Sequence, residues 1–382
     1  MDIYLDNSST TKPYPQVVNK VVQALEVNYA NPSAAHSKGV EVEKEIKNVR
    51  QTIARSVGAN DKEIYFTSGG TESNNTVIRG VAYLNKKRKN HIISTNIEHP
   101  SVLNTLKDLE DDGFEVTYLK VGKNGVIDFE EFKKAIKPTT CLVTIMHVNN
   151  ETGSIQPIKE IGKYLKSLEE KIYFHVDAIQ SFGKIGFKPS KYSIDFMSVS
   201  GHKFHGPKGI GFMYVKSNSR LKPILFGGGQ ESGVRSGTEN VPGIYGIGKA
   251  VEVLFEDLNG NIEKINSLKE LLKKEILENI DNVKVNSPED GVCHILNVSF
   301  IGAKGEVLLH YLEQKGVYVS TGSACSAKKK GSHVLNAIGL TPKEVEGTIR
   351  FSLSDLNTEA EILEAAKIIK ESVDDLRSIM NK

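Results

Sequence analysis

Ser198-Val-Ser-Gly-His-Lys-Phe-His-Gly-Pro-Lys-Gly-Ile-Gly211 joins two apolar runs, Ile194 to Val199 and Ile210 to Val215, that both read as buried strands. Between them, Lys203 stands at a strand end among two histidines, two serines and four glycines. A lysine so placed is either an ordinary surface residue on a Gly-rich hairpin or an amine desolvated at the rim of a sheet. Desolvation disfavours the ammonium form and lowers its pKa, as an amine that condenses with a carbonyl requires.

Outward from this stretch, Glu63 to Thr67, His91 to Thr95, Thr140 to Val148 and Ile172 to Val176 are further strand-like runs. Helical periodicity separates them, as at Ile158 to Leu168. This alternation predicts an α/β fold in which a mainly parallel sheet is covered by helices. Ligands of such sheets bind beyond the carboxyl ends of the strands. His99, Asn150, Asp177, Gln180 and Lys203 all fall there. Ser68-Gly-Gly-Thr-Glu-Ser-Asn-Asn75 turns one strand into a helix, so Gly70 and Thr71 offer an anion free N–H groups and a positive helix end. Thr71 equally suits a plain N-cap.

A helix pair, about 244–257 and 262–280, leads into a smaller α+β unit with strands near Val283, Ile295 to Phe300, Val317 to Ser320 and Ile349 to Ser352, closed by a helix from Glu359. The expected division is a large domain at 13–260 and a small one made of 1–12 and 261–382.

The 49 basic and 47 acidic residues leave a net charge of +2, which argues against a nucleic-acid-coating or polybasic membrane protein. No apolar run reaches the span of a membrane helix, and Ile3-Tyr-Leu5 follows the start without a signal-peptide pattern. Three cysteines do not make a disulfide framework, so a reducing cytoplasm is the expected setting. Three lesser motifs are set aside. Gly243-Ile-Tyr-Gly-Ile-Gly248 has the glycines of a dinucleotide fingerprint in the wrong order. Around Lys123 to Glu131, setting Gly125 at the sixth position of a calcium loop puts Lys120 and Gly122 where carboxylates belong, and His202-x-x-His205 has no carboxylate nearby to complete a metal site.

The strand ends meet four requirements of pyridoxal phosphate. Lys203 suits the aldehyde, Asp177 the pyridine nitrogen, and His99 one ring face; Gly70, Thr71, Ser200 and His202 suit the phosphate, with Gln180 for the ring hydroxyl. Asp177 could equally cap a helix, and His99 could be a structural histidine. A second reactive centre is Ser320-Thr-Gly-Ser-Ala-Cys-Ser-Ala-Lys-Lys-Lys-Gly331, where three lysines favour the thiolate of Cys325. Cys141 and Cys293 adjoin apolar strands and read as core. Arg350 is a charge entering an apolar strand, suited to a carboxylate ligand or to a buried ion pair.

With Tyr4-Leu-Asp-Asn-Ser-Ser-Thr-Thr11, Thr67-Ser-Gly-Gly-Thr-Glu-Ser-Asn74, Glu98-His99, Met146-His-Val-Asn-Asn-Glu-Thr-Gly153, His175-Val-Asp177, Ser200-Gly-His-Lys203, Arg235-Ser-Gly-Thr238, Gly322-Ser-Ala-Cys325 and Arg350-Phe-Ser352, the chain resembles the NifS/IscS-type cysteine desulfurases. These are fold type I pyridoxal phosphate enzymes, and the likeness runs nearly end to end. The resemblance implies a homodimer that takes sulfur from L-cysteine, leaving alanine and a persulfide on Cys325. A sulfur-acceptor protein, either an iron–sulfur scaffold or a tRNA- or cofactor-thiolation enzyme, would then receive it. It further implies Lys203 as Schiff-base lysine, His99 as stacking and proton-handling residue, and Asp177 and Gln180 on the ring. Gly70, Thr71, Ser200 and His202 would hold the phosphate, with Thr238 supplied by the second subunit. Asn150 would lie beside the cofactor and, with Arg350, hold the substrate carboxylate. A selenocysteine lyase or another aminotransferase-like enzyme of the same fold is the alternative. Ser8 and Ser9 replace a common alanine pattern, and lysines crowd the residues after Cys325; neither departure is expected to touch a catalytic position.

Overall fold

The computed structural model describes residues 2–322 and 331–380. Strand β1 (Ile3–Tyr4) precedes helices α1 (Pro15–Glu26) and α2 (Ser37–Val57). Strict alternation follows through β2 (Ile64–Thr67), α3 (Gly70–Asn85), β3 (His91–Thr95), α4 (Pro100–Asp111), β4 (Glu115–Leu119), α5 (Phe129–Ala135), β5 (Thr140–Met146), α6 (Ile158–Ser167) and β6 (Tyr173–Asp177). Then come β7 (Phe196–Ser200), β8 (Gly211–Val215) and the helices α7 (Val241–Glu256) and α8 (Leu258–Asn279). The remainder comprises β9 (Val283–Val285), β10 (Ile295–Phe300), α9 (Gly305–Gln314), β11 (Val317–Tyr318), α10 (His333–Ala337), α11 (Pro342–Glu346), β12 (Thr348–Ser352) and α12 (Glu359–Met380).

Seven strands form the main sheet in the order β2-β8-β7-β6-β5-β3-β4. Pairing is parallel from β7 through β4, and β8 runs antiparallel to both of its neighbours. Every residue of β5 is buried, as its unbroken apolar run requires of a sheet covered on both faces. Successive residues serve opposite layers. In β3, Ile92 joins Val77, Val81, Val102 and Leu106 of α3 and α4, while Ile93 joins the core that holds Val143, Ile145 and Val176. Helix α7 packs on α1 and α2 through its glycines. A Cβ on Gly248 would stand 2.7 Å from Val49, and one on Gly246 would stand 2.4 Å from Pro207. Gly243 to Gly248 is thus a close-packing surface, which accounts for its glycines.

A separate apolar cluster joins Ile3 and Leu5 to α8, α9, α12, β10 and β12. There β10 lies between β9 and β12, antiparallel to both, and β1 pairs in parallel with β11. The N-terminal residues therefore pack with the C-terminal third of the chain.

Candidate active site

Register assembles the site. Ser200 pairs with Gly211, and Gly211 pairs with Thr67, so the turn entering α3 lies beside the turn carrying Lys203. Asp177 ends β6 opposite Met146 of β5 and Ser198 of β7. His99 caps α4, where its Nδ1 accepts the Ser101 N–H at 3.1 Å. Together these turns wall a cleft of about 280 Å³ at the carboxyl edge of the sheet. His99, Asp177, Gln180, Ser200, His202 and Lys203 line it, with Gly70, Thr71, Asn150 and Arg350.

Lys203 Nζ donates to the carbonyls of Ser8 at 2.7 Å and Ser9 at 2.8 Å. This corrects the expectation that Ser8 and Ser9 stand clear of the catalytic positions: both line the cleft, and their backbone holds the lysine. Gln180 Nε2 donates to the same Ser8 carbonyl at 3.0 Å, and its Oε1 lies 3.2 Å from His294 Nε2.

Asp177 is buried, and burial pushes its carboxyl upward against the hydrogen bonds that favour its charge. Those come from the Ile179 N–H at 3.0 Å and from Asn74 Nδ2 at 2.8 Å. Asn74 Nδ2 also donates to Ser101 Oγ at 2.9 Å, and that oxygen lies 2.9 Å from His99 Nδ1. A single amide therefore links Asp177 to the histidine. Since His99 Nδ1 accepts the Ser101 N–H, the neutral ring carries its proton on Nε2. Burial lowers the His99 pKa, opposed by the charge of Asp177. His202 is pushed down to about 4 by burial, with Lys203 and Lys208 adding to the effect, so at neutral pH it offers hydrogen bonds rather than charge.

Arg350 is only 2% exposed. Its Nη2 donates to Asp6 Oδ1 and Ser9 Oγ, both at 2.7 Å, and its Nη1 to the Asn150 carbonyl at 2.8 Å, whereas Nε is buried without a partner. The residue thus lines the cleft and is also an ion pair. The anion-cradle turn has Gly69 at the helix N-cap with no side-chain cap, and Gly70 and Thr71 border both the cleft and an adjoining groove that includes Lys208.

Thr238 is exposed and does not line this cleft. Cys325 lies outside the described residues. Sequence reasoning did not single out Asp6, Asn74, Ser101 or Glu151. Among the described residues no group of three His, Cys, Asp or Glu could hold a metal ion, and no helix is long and apolar enough to cross a membrane.

The aminotransferase class-V family model matches residues 3–364. A cysteine desulfurase IscS of Clostridium botulinum is 43% identical over 377 residues, covering 97% of this chain and 94% of its own length. A cysteine desulfurase of Nostoc sp. is 44% identical over 379 residues, covering 99% of this chain and 94% of its own. Among solved structures, a NifS-like protein superposes with a TM-score of 0.93 at 38% identity, covering 98% of this chain and all of the other.

Proposed function

The chain belongs to the class-V aminotransferases, where it is a pyridoxal-phosphate-dependent cysteine desulfurase, and on that premise we propose that Lys203, Asp177, His99 and Cys325 carry its reaction. The observation that supports this most is the convergence of the first three on one cleft with a phosphate-type helix N-terminus. The donors present fit the cofactor: an amine, a buried carboxyl, an imidazole, and the Gly70–Thr71 turn with Ser200 and His202. In addition, Ser8 Oγ is buried in the wall without a partner, as befits a surface that meets a polar ligand.

Bound there, pyridoxal phosphate supplies an aldehyde for an amine and a ring that accepts an electron pair from the adjoining carbon. Lys203 is the amine that would carry it. Asp177 would hold a proton on the ring nitrogen, and Gly70, Thr71, Ser200 and His202 would take the phosphate. When L-cysteine enters, Asn150 and Arg350 orient its carboxylate, Lys203 Nζ takes the Cα proton, and His99 Nε2 serves later proton transfers. The Cys325 thiolate attacks the substrate sulfur, so an S–S bond forms as the C–S bond breaks. The electron pair stays with the carbon fragment, which takes up protons and leaves as alanine. One cysteine and one thiol thereby give one alanine and one persulfide.

The wider reading follows the same family. Two copies associate, each lending Thr238 to the other's phosphate site, and the persulfide passes to an acceptor protein of iron–sulfur assembly or of tRNA or cofactor thiolation in the cytoplasm. Residues 13–260 form the cofactor-binding domain, and 1–12 with 261–382 form the small domain bearing the cysteine loop at about 320–332, a division supported by the separate apolar cluster that includes Ile3 and Leu5.

An absorption band at roughly 390–420 nm, lost in Lys203→Ala, is the expected signature of the cofactor on its lysine. With a thiol reductant present to free the persulfide sulfur, added L-cysteine should yield alanine and sulfide equally. Cys325→Ser should keep the band and lose sulfide release; release at the parent rate would overturn the cysteine assignment.

A further inference from the structure

Glu151 follows Asn150 in the loop after β5, and its carboxyl is buried. Its backbone is pinned on both sides: the N–H meets Asn149 Oδ1 at 2.9 Å, and the carbonyl accepts from Asn297 Nδ2 of β10 at 3.1 Å. The carboxyl in turn faces the two described flanks of the segment that contains Cys325. On the far flank, Glu151 Oε2 accepts the hydroxyl of Ser332. That same hydroxyl caps α10 through the Val334 and Leu335 N–H groups at 3.1 and 3.2 Å. On the near flank, a Cβ on Gly322 would lie 3.2 Å from Glu151 Oε2, and the glycine holds a φ of +126°. Ser320 fastens Gly322 by donating to its carbonyl at 2.7 Å, while the Ser320 backbone pairs with Arg350.

These contacts gather at the substrate end of the cleft. The residue preceding Glu151 gives its carbonyl to Arg350, and His333, next to Ser332, places Nε2 3.1 Å from the carbonyl of Glu98 beside His99. Keeping a carboxyl buried here is costly, and its pKa is raised by burial despite the Ser332 hydrogen bond and the charges of His333 and Arg350. An apolar residue would spare that cost but could not hold Ser332.

We propose that Glu151 is a positioning residue for sulfur transfer, its carboxyl holding the far flank of the Cys325 segment through Ser332 and standing against the near flank at Gly322. The proposal rests on Cys325 being the sulfur acceptor. It predicts a loss confined to the transfer step, with cofactor and substrate still bound.

The test compares holoenzymes of the parent, Glu151→Ala, Glu151→Gln, Ser332→Ala and Cys325→Ser, with a thiol reductant present in the sulfide assay to free the persulfide sulfur. Glu151→Ala and Ser332→Ala should each lower kcat for sulfide release about tenfold, while the absorbance change on adding L-cysteine keeps its midpoint within about twofold. Glu151→Gln retains an oxygen for Ser332 and should recover most of the rate. Combining Glu151→Ala with Ser332→Ala should cost no more than either alone. Iodoacetamide should alkylate Cys325 at a changed rate in Glu151→Ala and at a near-parent rate in Glu151→Gln. An unchanged kcat in Ser332→Ala, or a cysteine midpoint that weakens in step with kcat, would overturn the proposal; if Glu151→Ala does not fold, Ser332→Ala decides. Sulfide release by Cys325→Ser would instead sink the acceptor reading on which it stands.

Discussion

Asn74 Nδ2 divides its two hydrogens between Asp177 and Ser101, so one amide sets both the carboxyl proposed for the ring nitrogen and the histidine proposed for its face. Asn74→Ala leaves Asp177 with the Ile179 N–H as its remaining described donor and frees Ser101 to turn from His99. The affinity of the apoenzyme for pyridoxal phosphate should fall roughly tenfold, read by absorbance titration, since a hydrogen bond to a charged group contributes about 1.5–3 kcal/mol. Asn74 lies within a motif legible in the sequence, yet its task was not: its partner is 103 positions away. Ser8 and Ser9 were hidden for another reason. They meet Lys203 through carbonyl oxygens, which every residue possesses, so side-chain identity carries no signal.

The elements of the main sheet were legible wherever an apolar run was unbroken. β5 and β7 are buried throughout and β6 beyond its half-buried Tyr173, and the ends of β3, β6 and β7 bring His99, Asp177 and Lys203 to one cleft. β4 escaped because Glu115 to Leu119 is an edge strand with only Leu119 buried, and the seven-residue α5 was too short to show a period. Strand direction was also unreadable: β8 reverses within the sheet, and this brings Gly211 against the α3 turn. A Cβ there would meet the Val199 carbonyl at 2.4 Å and Gly69 Cα at 2.8 Å. Both obstacles are backbone, so Gly211→Ala should push the α3 turn off the sheet. Cofactor retention on gel filtration should drop by tenfold or more, with a loss of roughly 1–3 kcal/mol in unfolding stability.

At the scale of the molecule, Asp355 beyond β12 ties the C-terminal part to the lysine turn. It accepts the Tyr14 hydroxyl at 2.9 Å, and its Oδ1 lies 3.0 Å from His205 Nε2, out of line for a hydrogen bond. His205 holds a φ of +66° two residues after Lys203, and its ring stacks on Tyr14. Burial raises the Asp355 pKa, but His205, Lys184 and the Tyr14 hydroxyl outweigh it and leave it at about 2, below its ordinary 3.8. A depressed carboxyl stabilises above its unfolded pKa and loses that contribution as pH falls through its folded pKa. Asp355 should therefore contribute roughly 2 kcal/mol at neutral pH, lost between about pH 4 and 2. In Asp355→Asn that part of the acid limb should flatten in urea melts taken across the range.

Arg350 is paired with Asp6 in the wall of the cleft. The guanidinium charge is accordingly already balanced at the point proposed to receive a carboxylate, and the N-terminal turn acts as a resident surrogate for it. An incoming acid would compete with an equal charge instead of answering a vacant one, so charge alone should discriminate little among carboxylates. Selection falls to whatever else a molecule offers, its amine above all, and the cell's abundant simple acids become weak competitors. The first few residues of the chain thus work as a filter on what the rest of it is allowed to hold.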